Sequence, residues 1–373
     1  MERLPLEGIK VVEFTHMVMG PSIGLMLGDL GADVIKVEPE GGDHTRRLLG
    51  SGAGYFPMFN RNKRSVCLDL KSEQGNAEAR RLIDEADVMI ENFRPGALAK
   101  LGLGPKNFTK SNPRLIYCSA KGFLTGPYEN RTALDEVAQM MGGLAYMTGP
   151  PGRPLRAGAS VIDVTGGMFG VIGILAALER RHRTDKGGEV KCSLFETTAF
   201  LVGQHIAQKA VTGTTAPPMP ARISAWAVYD VFETLNQDEQ LFVGVVSDPQ
   251  WVVFCEVMGL EDLAADPTLA VNNERVRQRE HILPVIRDLF GGMTRDELVG
   301  RLESIGLPYA PIMRPDDLLE DQHLLASGGF VEVTLDDGSR AKLPALPLEI
   351  DGKRMGLRHD LPRAENSNGI DFN

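Results

Sequence analysis

Residues 8–37, GIKVVEFTHMVMGPSIGLMLGDLGADVIKV, set the architecture of the chain. Gly8 to Thr15 is a short apolar strand, HMVMG is a tight connection, and Pro21 to Leu30 is a helix-like run carrying small residues at Ser22, Gly24 and Gly28. Gly31 caps that helix and Ala32 to Val37 is a second strand. Strand, helix and strand in so short a span form a βαβ unit, which hydrogen bonding and handedness drive toward a parallel sheet. The class expected is therefore α/β. A dinucleotide fingerprint is absent, since Gly20, Gly24 and Gly28 stand four apart and GxGxxG is missing, so neither a nicotinamide nor a flavin cofactor is expected.

Downstream, further strands are expected at Ser65 to Leu70, Asp87 to Glu91, Arg114 to Ala120 and Val190 to Leu194, with a helix from Glu73 to Ala86. Lys63, Arg64 and Lys71 bracket the first of these strands. They are either a solvated basic loop or a phosphate clamp gathered by an otherwise acidic chain. Ligands of open parallel sheets bind beyond the strand carboxyl ends, which makes Asn92 and Arg94 a candidate wall of a site.

A second stretch, Arg156 to Arg181 (RAGASVIDVTGGMFGVIGILAALERR), holds a single acid, Asp163, at the head of a run that is apolar almost all round from Val164 to Leu178. That pattern predicts a helix buried on every side. Gly166, Gly167, Gly170 and Gly173 imply close approach of other backbone. Asp163 reads either as the N-cap of this helix or as a nucleophile kept ionised by the helix dipole, with N–H groups near Gly166 and Gly167 available to a neighbouring oxyanion. Asp135, in TALDEVAQMMGG, is either the cap of the helix after it or a second acid near the site.

Composition narrows the function. The 373 residues are 43% hydrophobic and 24% charged with a net charge of -10, which argues against nucleic acid or an anionic membrane surface as partner. Cys67, Cys118, Cys192 and Cys255 are far apart and show no metal-ligand spacing, so free buried thiols in a reducing cytoplasm are expected and no metal. The opening MERLPLEGIKVVEF lacks a signal-peptide core, and no uninterrupted apolar run reaches the ~18 residues of a membrane span.

Past Glu196 to Val211, read as one amphipathic helix, the composition breaks at GTTAPPMPAR. The expected organisation is a large domain over 1–211, a linker over 212–224, a small α+β domain over 225–328 and a returning segment with a polar, frayed tail over 329–373. Within the small domain, AVYDVFETLNQDEQLFVGVV predicts a hairpin turning near Asn236 to Glu239, two or three helices should come after it up to Ile305, and Thr294 is placed to cap the last. Alternation returns in residues 330–350 around Asp336, Asp337 and Gly338.

In order, EFTHMVMGP, LGADVIKVE, FNRNKRSVCLDLKS, VMIENFRPGALAKLG, YCSAKGF, the Asp163 segment and ILAALERRHRTDKGGEVKCSLFE resemble the class III CoA-transferases. That family also holds formyl-CoA transferase, the carnitine-type CoA-transferases and the α-methylacyl-CoA racemases. The resemblance is dense from Leu4 to Glu196 and thins beyond. It implies a large Rossmann-like domain built from both chain ends, a smaller α+β domain, and a homodimer of interlocked rings. It places the catalytic aspartate at Asp163 and coenzyme A contacts at His16, Met17, Val18, Leu68, Lys71, Asn92, Phe93, Arg94, Ala97, Lys100, Lys121 and Phe123. The implied reaction is transfer of CoA from an acyl-CoA to a carboxylic acid through an aspartyl mixed anhydride and an aspartyl-CoA thioester, with CoA as co-substrate. The alternatives are a 2-methylacyl-CoA racemase or epimerase and a catalytically silent CoA-binding protein. Racemases of the family carry a histidine where this chain has Leu134, and a glutamate where VGVVSDP offers Ser247 and Asp248. The glycine run of formyl-CoA transferase is missing, Pro39 stands at its adenine-side arginine, and GLRHDLPRAENSN replaces the usual C-terminal helix. Arg131, Arg153 and Arg156 near the approach to Asp163 suggest a dicarboxylic or polar acceptor acid.

Overall fold

The computed structural model describes residues 4–222, 224–236, 238–364 and 370–373. Parts of the expected linker (223), hairpin turn (237) and frayed tail (365–369) lie outside the described residues. Two compact units are present, one of residues up to 220 together with 322–373, the other of residues 221–321.

The larger unit is built on six strands: β1 (Lys10–Phe14), β2 (Asp33–Glu38), β3 (Lys63–Cys67), β4 (Val88–Glu91), β5 (Ile116–Lys121) and β6 (Gly188–Ser193). Every pairing in this sheet is parallel, in the order β3-β2-β1-β4-β5-β6. This is the doubly wound Rossmann-like order, which reverses between β1 and β4 and opens a crevice at their carboxyl ends. Alternation along β1 sends Val11 into one core and Val12 and Phe14 into the other, so both faces are covered. β3 begins two residues earlier than expected and stops at Cys67, because it is the edge strand beside β2 and the ladder ends where Glu38 pairs with Cys67.

Helices α1 (Met19–Asp29), α2 (Tyr55–Phe59), α3 (Glu73–Glu85), α4 (Ala97–Lys100), α5 (Asp135–Met141), α6 (Leu144–Thr148), α7 (Val161–Thr184), α8 (Leu194–Leu201) and α9 (Gly203–Thr212) connect the strands and extend beyond the last. The single helix expected over Glu196 to Val211 is two. Thr197 and Thr198 turn their hydroxyls back to the carbonyls of Ser193 and Leu194, and the chain bends at Val202 before Gly203.

α7 packs against α1 through its glycines. A Cβ at Gly166 would stand 2.8 Å from Met19 Cε, at Gly167 2.1 Å from Ser22 Oγ, and at Gly170 2.6 Å from Ile23 Cδ1, while Gly173 abuts Val190 of β6. The helix is not buried on every side, however. Met168, Ile172 and Leu175 are exposed, as are Phe200 and Leu201 of α8 and Ile206 and Val211 of α9. By length and mean hydropathy alone α7 would suffice to cross a membrane, although its uncharged run between Asp163 and Glu179 is shorter than a span. Its glycine face against α1 and β6 makes it a core helix instead.

The smaller unit has an antiparallel sheet, β7 (Tyr229–Glu233), β8 (Gln240–Gly244) and β9 (Tyr309–Pro311). Among its described residues there are five helices rather than two or three: α10 (Asp248–Met258), α11 (Glu261–Ala265), α12 (Asn272–Arg277), α13 (Arg279–Gly291) and α14 (Arg295–Ser304). Asp266-Pro267 interrupts the run after α11. Thr294 and Glu297 form the capping box of α14. Ser247 caps α10 and Asp248 pairs with the buried Arg275, so both have structural partners.

The chain returns to the larger unit through α15 (Gln322–Ala326), the antiparallel pair β10 (Phe330–Thr334) and β11 (Arg340–Pro344), and the short pair β12 (Glu349–Ile350) and β13 (Lys353–Arg354). Asn62 fastens the segment GLRHDLP beyond β13. Its Oδ1 accepts the N–H groups of Arg358 and His359 at 2.6 and 2.8 Å, and its Nδ2 donates to Asp29 at 2.7 Å. GLRHDLP thus serves as a strap beside α1 and β3.

Candidate active site

The crevice at the β1/β4 reversal is closed by an amide. Asn92, just past β4, accepts the His16 N–H at 3.0 Å and donates to the His16 carbonyl at 2.8 Å, tying the loop after β1 to the loop after β4. α1 starts close behind, and a Cβ at Gly20 would fall 2.7 Å from Thr15 Cβ and 2.9 Å from Asn92 Cγ. The rings of His16 and Phe93 stand 5.5 Å apart. Met17 adopts a left-handed backbone, φ 63°.

A cavity of about 450 Å³ opens here. His16, Met17, Val18, Asn92, Phe93, Arg94 and Lys121 line it, together with Asp163. Phe123 is buried and lines a neighbouring cavity of about 270 Å³ that shares Arg94 and Lys121. Ala97, Lys100, Leu68 and Lys71 line neither; Lys71 and Lys100 are exposed, and Leu68 packs on the core beneath β3. Lys121 is already engaged, its ammonium donating to Glu91 at 2.7 Å and to the Phe93 carbonyl at 2.6 Å.

Both readings of Lys63 and Arg64 are overturned. Lys63 is fully buried and donates to Glu13 (2.8 Å), the Pro21 carbonyl (2.9 Å) and Asn60 (3.1 Å). Burial pulls its ammonium down to about 8 against the pull of Glu13. Arg64 forks onto Asp33 at 2.6 and 2.8 Å. The basic sequence stretch is thus largely internal bracing.

Asp163 is not an N-cap. α7 begins at Val161 with Ser160 in the cap position, and Asp163 is the third helical residue. The capping is done from a distance by Asp135, itself the first residue of α5, rather than by Asp135 on its own helix. One Asp135 oxygen accepts the N–H groups of Ile162 (2.9 Å) and Asp163 (3.1 Å), and the other accepts Gln139 Nε2 (2.5 Å), whose Oε1 takes the Ala157 N–H at 2.8 Å. Nothing in the sequence around either acid signals this pairing, because the two lie on different helices.

The consequence is electrostatic. Asp163 is pushed up to about 7, first by burial and then by the like charge of Asp135, with Arg156 pulling the other way. The dipole of α7 does not keep it ionised as expected, since Asp135 has taken the terminal N–H groups and brought its own charge. Gly166 and Gly167 sit inside the helical ladder on the α1 side, so their N–H groups are committed to carbonyls one turn back and not free for an oxyanion.

Around the acids, Arg156 is paired with Glu136 at 2.7 Å and lies 3.8 Å from Asp135. Arg131 lines the cavity and rests over the Tyr128 ring at 5.7 Å, whereas Arg153 is exposed away from it. Leu134 lines the cavity and is 60% exposed, so the position before Asp135 offers no proton. Ser51, Tyr55 and Glu136 also face the cavity, unmarked by any motif.

The family model of CoA-transferase family III matches residues 6–368. This chain belongs to CoA-transferase family III. Succinyl-CoA:glutarate CoA-transferase of Mus musculus is 32% identical over 91% of this chain and 79% of its own length. Acetyl-CoA:oxalate CoA-transferase of Acetobacter aceti is 33% identical over 93% of this chain and 90% of its own. A solved CAIB/BAIF family protein from Brucella suis is 33% identical and has a TM-score of 0.85, covering 98% of this chain and 97% of that one. The class III CoA-transferases use acyl-CoA as co-substrate, and the β1/β4 crevice is where the sheet topology puts a ligand of this enzyme.

Proposed function

We propose that this CoA-transferase moves CoA from an acyl-CoA to a dicarboxylic or polar carboxylic acid, with Asp163 as the covalent nucleophile. The observation that carries the reading is one side chain: a partly buried carboxylate, titrating at about 7, in the wall of the cavity at the β1/β4 reversal. Half ionised near neutrality, it is a better nucleophile than an ordinary carboxylate and a better leaving group than an alkoxide.

The steps balance without redox change. Ionised Asp163 attacks the thioester carbonyl and the CoA thiolate leaves, giving a mixed anhydride. The thiolate attacks the aspartyl carbonyl, releasing the donor acid and leaving an aspartyl-CoA thioester. The acceptor carboxylate attacks that thioester and expels the thiolate, which then takes the acyl group of the second anhydride and frees Asp163. His16, Met17, Val18, Asn92, Phe93 and Arg94 are proposed to hold the coenzyme beside the cavity, with Phe123 behind them. Leu68, Lys71, Ala97 and Lys100 are proposed for its outer, solvent-facing part. Lys121 acts as a brace for Glu91 and the Phe93 carbonyl. Arg131 lines the cavity with no acid partner among the described residues, and it is the group proposed to receive a second carboxylate; the acceptors in the relatives' names, glutarate and oxalate, are dicarboxylic.

The exposed apolar band of Met168, Ile172, Phe200 and Ile206 supports a homodimer in which a second copy covers it. All four cysteines are free and buried, in keeping with a reducing compartment. The test is CoA exchange from succinyl-CoA to a panel of mono- and dicarboxylic acids, read by mass spectrometry of the acyl-CoA products. Dicarboxylic acceptors should lead, Asp163→Ala should abolish exchange while CoA still binds, and near-normal turnover of that variant would reject the assignment.

A further inference from the structure

Beneath the loop after β1 lies a group of buried charges that the reaction does not use. Lys36 of β2 donates to the Thr15 carbonyl at 2.7 Å and pairs with Asp43 at 3.2 Å; Glu13 is 3.6 Å away. One Asp43 oxygen accepts both the N–H of Thr45 at 2.9 Å and its hydroxyl at 2.8 Å. With its proton committed to Asp43, Thr45 Oγ1 has only an acceptor direction left, and it takes the N–H of Met17 at 3.1 Å.

Met17 is one of four non-glycine residues among those described with a positive φ. A side chain disfavours that backbone, so the conformation persists only when its surroundings impose it. Lys36, Asp43 and Thr45 are each at most 4% exposed and do not line the cavity, yet the residue they hold does. We infer that Thr45, aimed by Asp43 and Lys36, is a positioning residue that locks Met17 left-handed and so presets the loop His16–Val18 to receive acyl-CoA. This rests on the reading that the loop meets the coenzyme.

The test compares Thr45→Val, which keeps the shape and loses the acceptor, with Thr45→Ser, which keeps both hydroxyl roles. Calorimetric Kd for CoA and steady-state KM and kcat for succinyl-CoA are the readouts. Thr45→Val should weaken Kd and KM by roughly five- to tenfold, the worth of one hydrogen bond, with kcat changed less than about twofold. Thr45→Ser should stay close to wild type. In a Met17→Gly background, where positive φ costs nothing, the further change to Thr45→Val should move Kd by less than about twofold. Thr45→Ala replaces Thr45→Val if the latter does not fold. A folded Thr45→Val enzyme with a lowered melting temperature but wild-type Kd, while His16→Ala weakens CoA, overturns the positioning role and leaves the loop's contact with CoA standing. If neither variant changes Kd, the coenzyme reading of the loop falls and takes this inference with it.

Discussion

Changing Asp135 to asparagine alters the nucleophile without touching it. The amide oxygen can still accept the N–H groups of Ile162 and Asp163, but two things change. The like charge that helps hold Asp163 at about 7 disappears, so Asp163 titrates lower. A shift of about one unit, equal to ~1.4 kcal/mol, is the expected size, because burial is the larger cause and remains. Meanwhile the new NH2 faces Gln139 Nε2, now 2.5 Å from Asp135 Oδ1; turning Gln139 over would forfeit its bond to Ala157. Together with weaker capping of α7, this costs on the order of 1–2 kcal/mol of stability. The assay is kcat/KM for CoA exchange from pH 5 to 9, whose acid limb reports the free enzyme's essential base. The acid limb of the wild type should be half-maximal near pH 7, and that of Asp135→Asn about one unit lower. An acid limb that stays put, or moves upward, in a folded variant would refute the coupling of the two acids.

Asp163→Asn should be inactive yet more stable at neutral pH. A carboxyl raised from 3.8 to about 7 on folding makes the native state bind its proton more tightly than the unfolded chain, so stability falls as pH rises through that window. Thermal melts should show the variant ahead of wild type by on the order of 2 kcal/mol at pH 8, with the difference vanishing toward pH 4. Gly167→Ala gains about 1 kcal/mol of helix propensity. Its Cβ, however, meets Ser22 Oγ at 2.1 Å and the Met19 carbonyl at 3.2 Å. Separating α1 from α7 should win, and urea denaturation should record a net loss of roughly 1–3 kcal/mol. Lys63→Met leaves Glu13 buried with the Thr15 hydroxyl at 3.1 Å and Lys36, 3.6 Å away, as its remaining cation among the described residues, which should cost about 3–5 kcal/mol in the same experiment, partly recovered by adding Glu13→Gln. Unchanged stability with weakened CoA binding would instead restore the phosphate-clamp reading.

The parts of the molecule legible in the sequence are those set by local pattern. The strand, helix and strand of residues 8–37 need only periodicity and a glycine at the turn, and the parallel sheet results from them. The glycines of α7 announce close packing because each lacks a side chain where Met19, Ser22, Ile23 and Val190 sit. Where charges go is not legible in the same way. Lys63 and Arg64 look like surface cations until the fold brings Glu13 and Asp33 to them across β1 and β2. The capping of α7 by Asp135 joins residues 28 apart, and the raised constant of Asp163 is a property of that pairing and of burial. The exposed face of α7 is hidden from sequence for a different reason: an apolar helix reads alike whether its cover comes from its own chain or from another.

A covalent bond to one carboxylate is the step on which the proposed mechanism stands. Incubating the enzyme with succinyl-CoA, quenching with hydroxylamine and mapping peptides by mass spectrometry reads that bond out. The expected result is a hydroxamate on Asp163, growing as pH rises through 7 and absent from Asp163→Asn. An unmodified Asp163 peptide in an enzyme that is visibly exchanging CoA would contradict it.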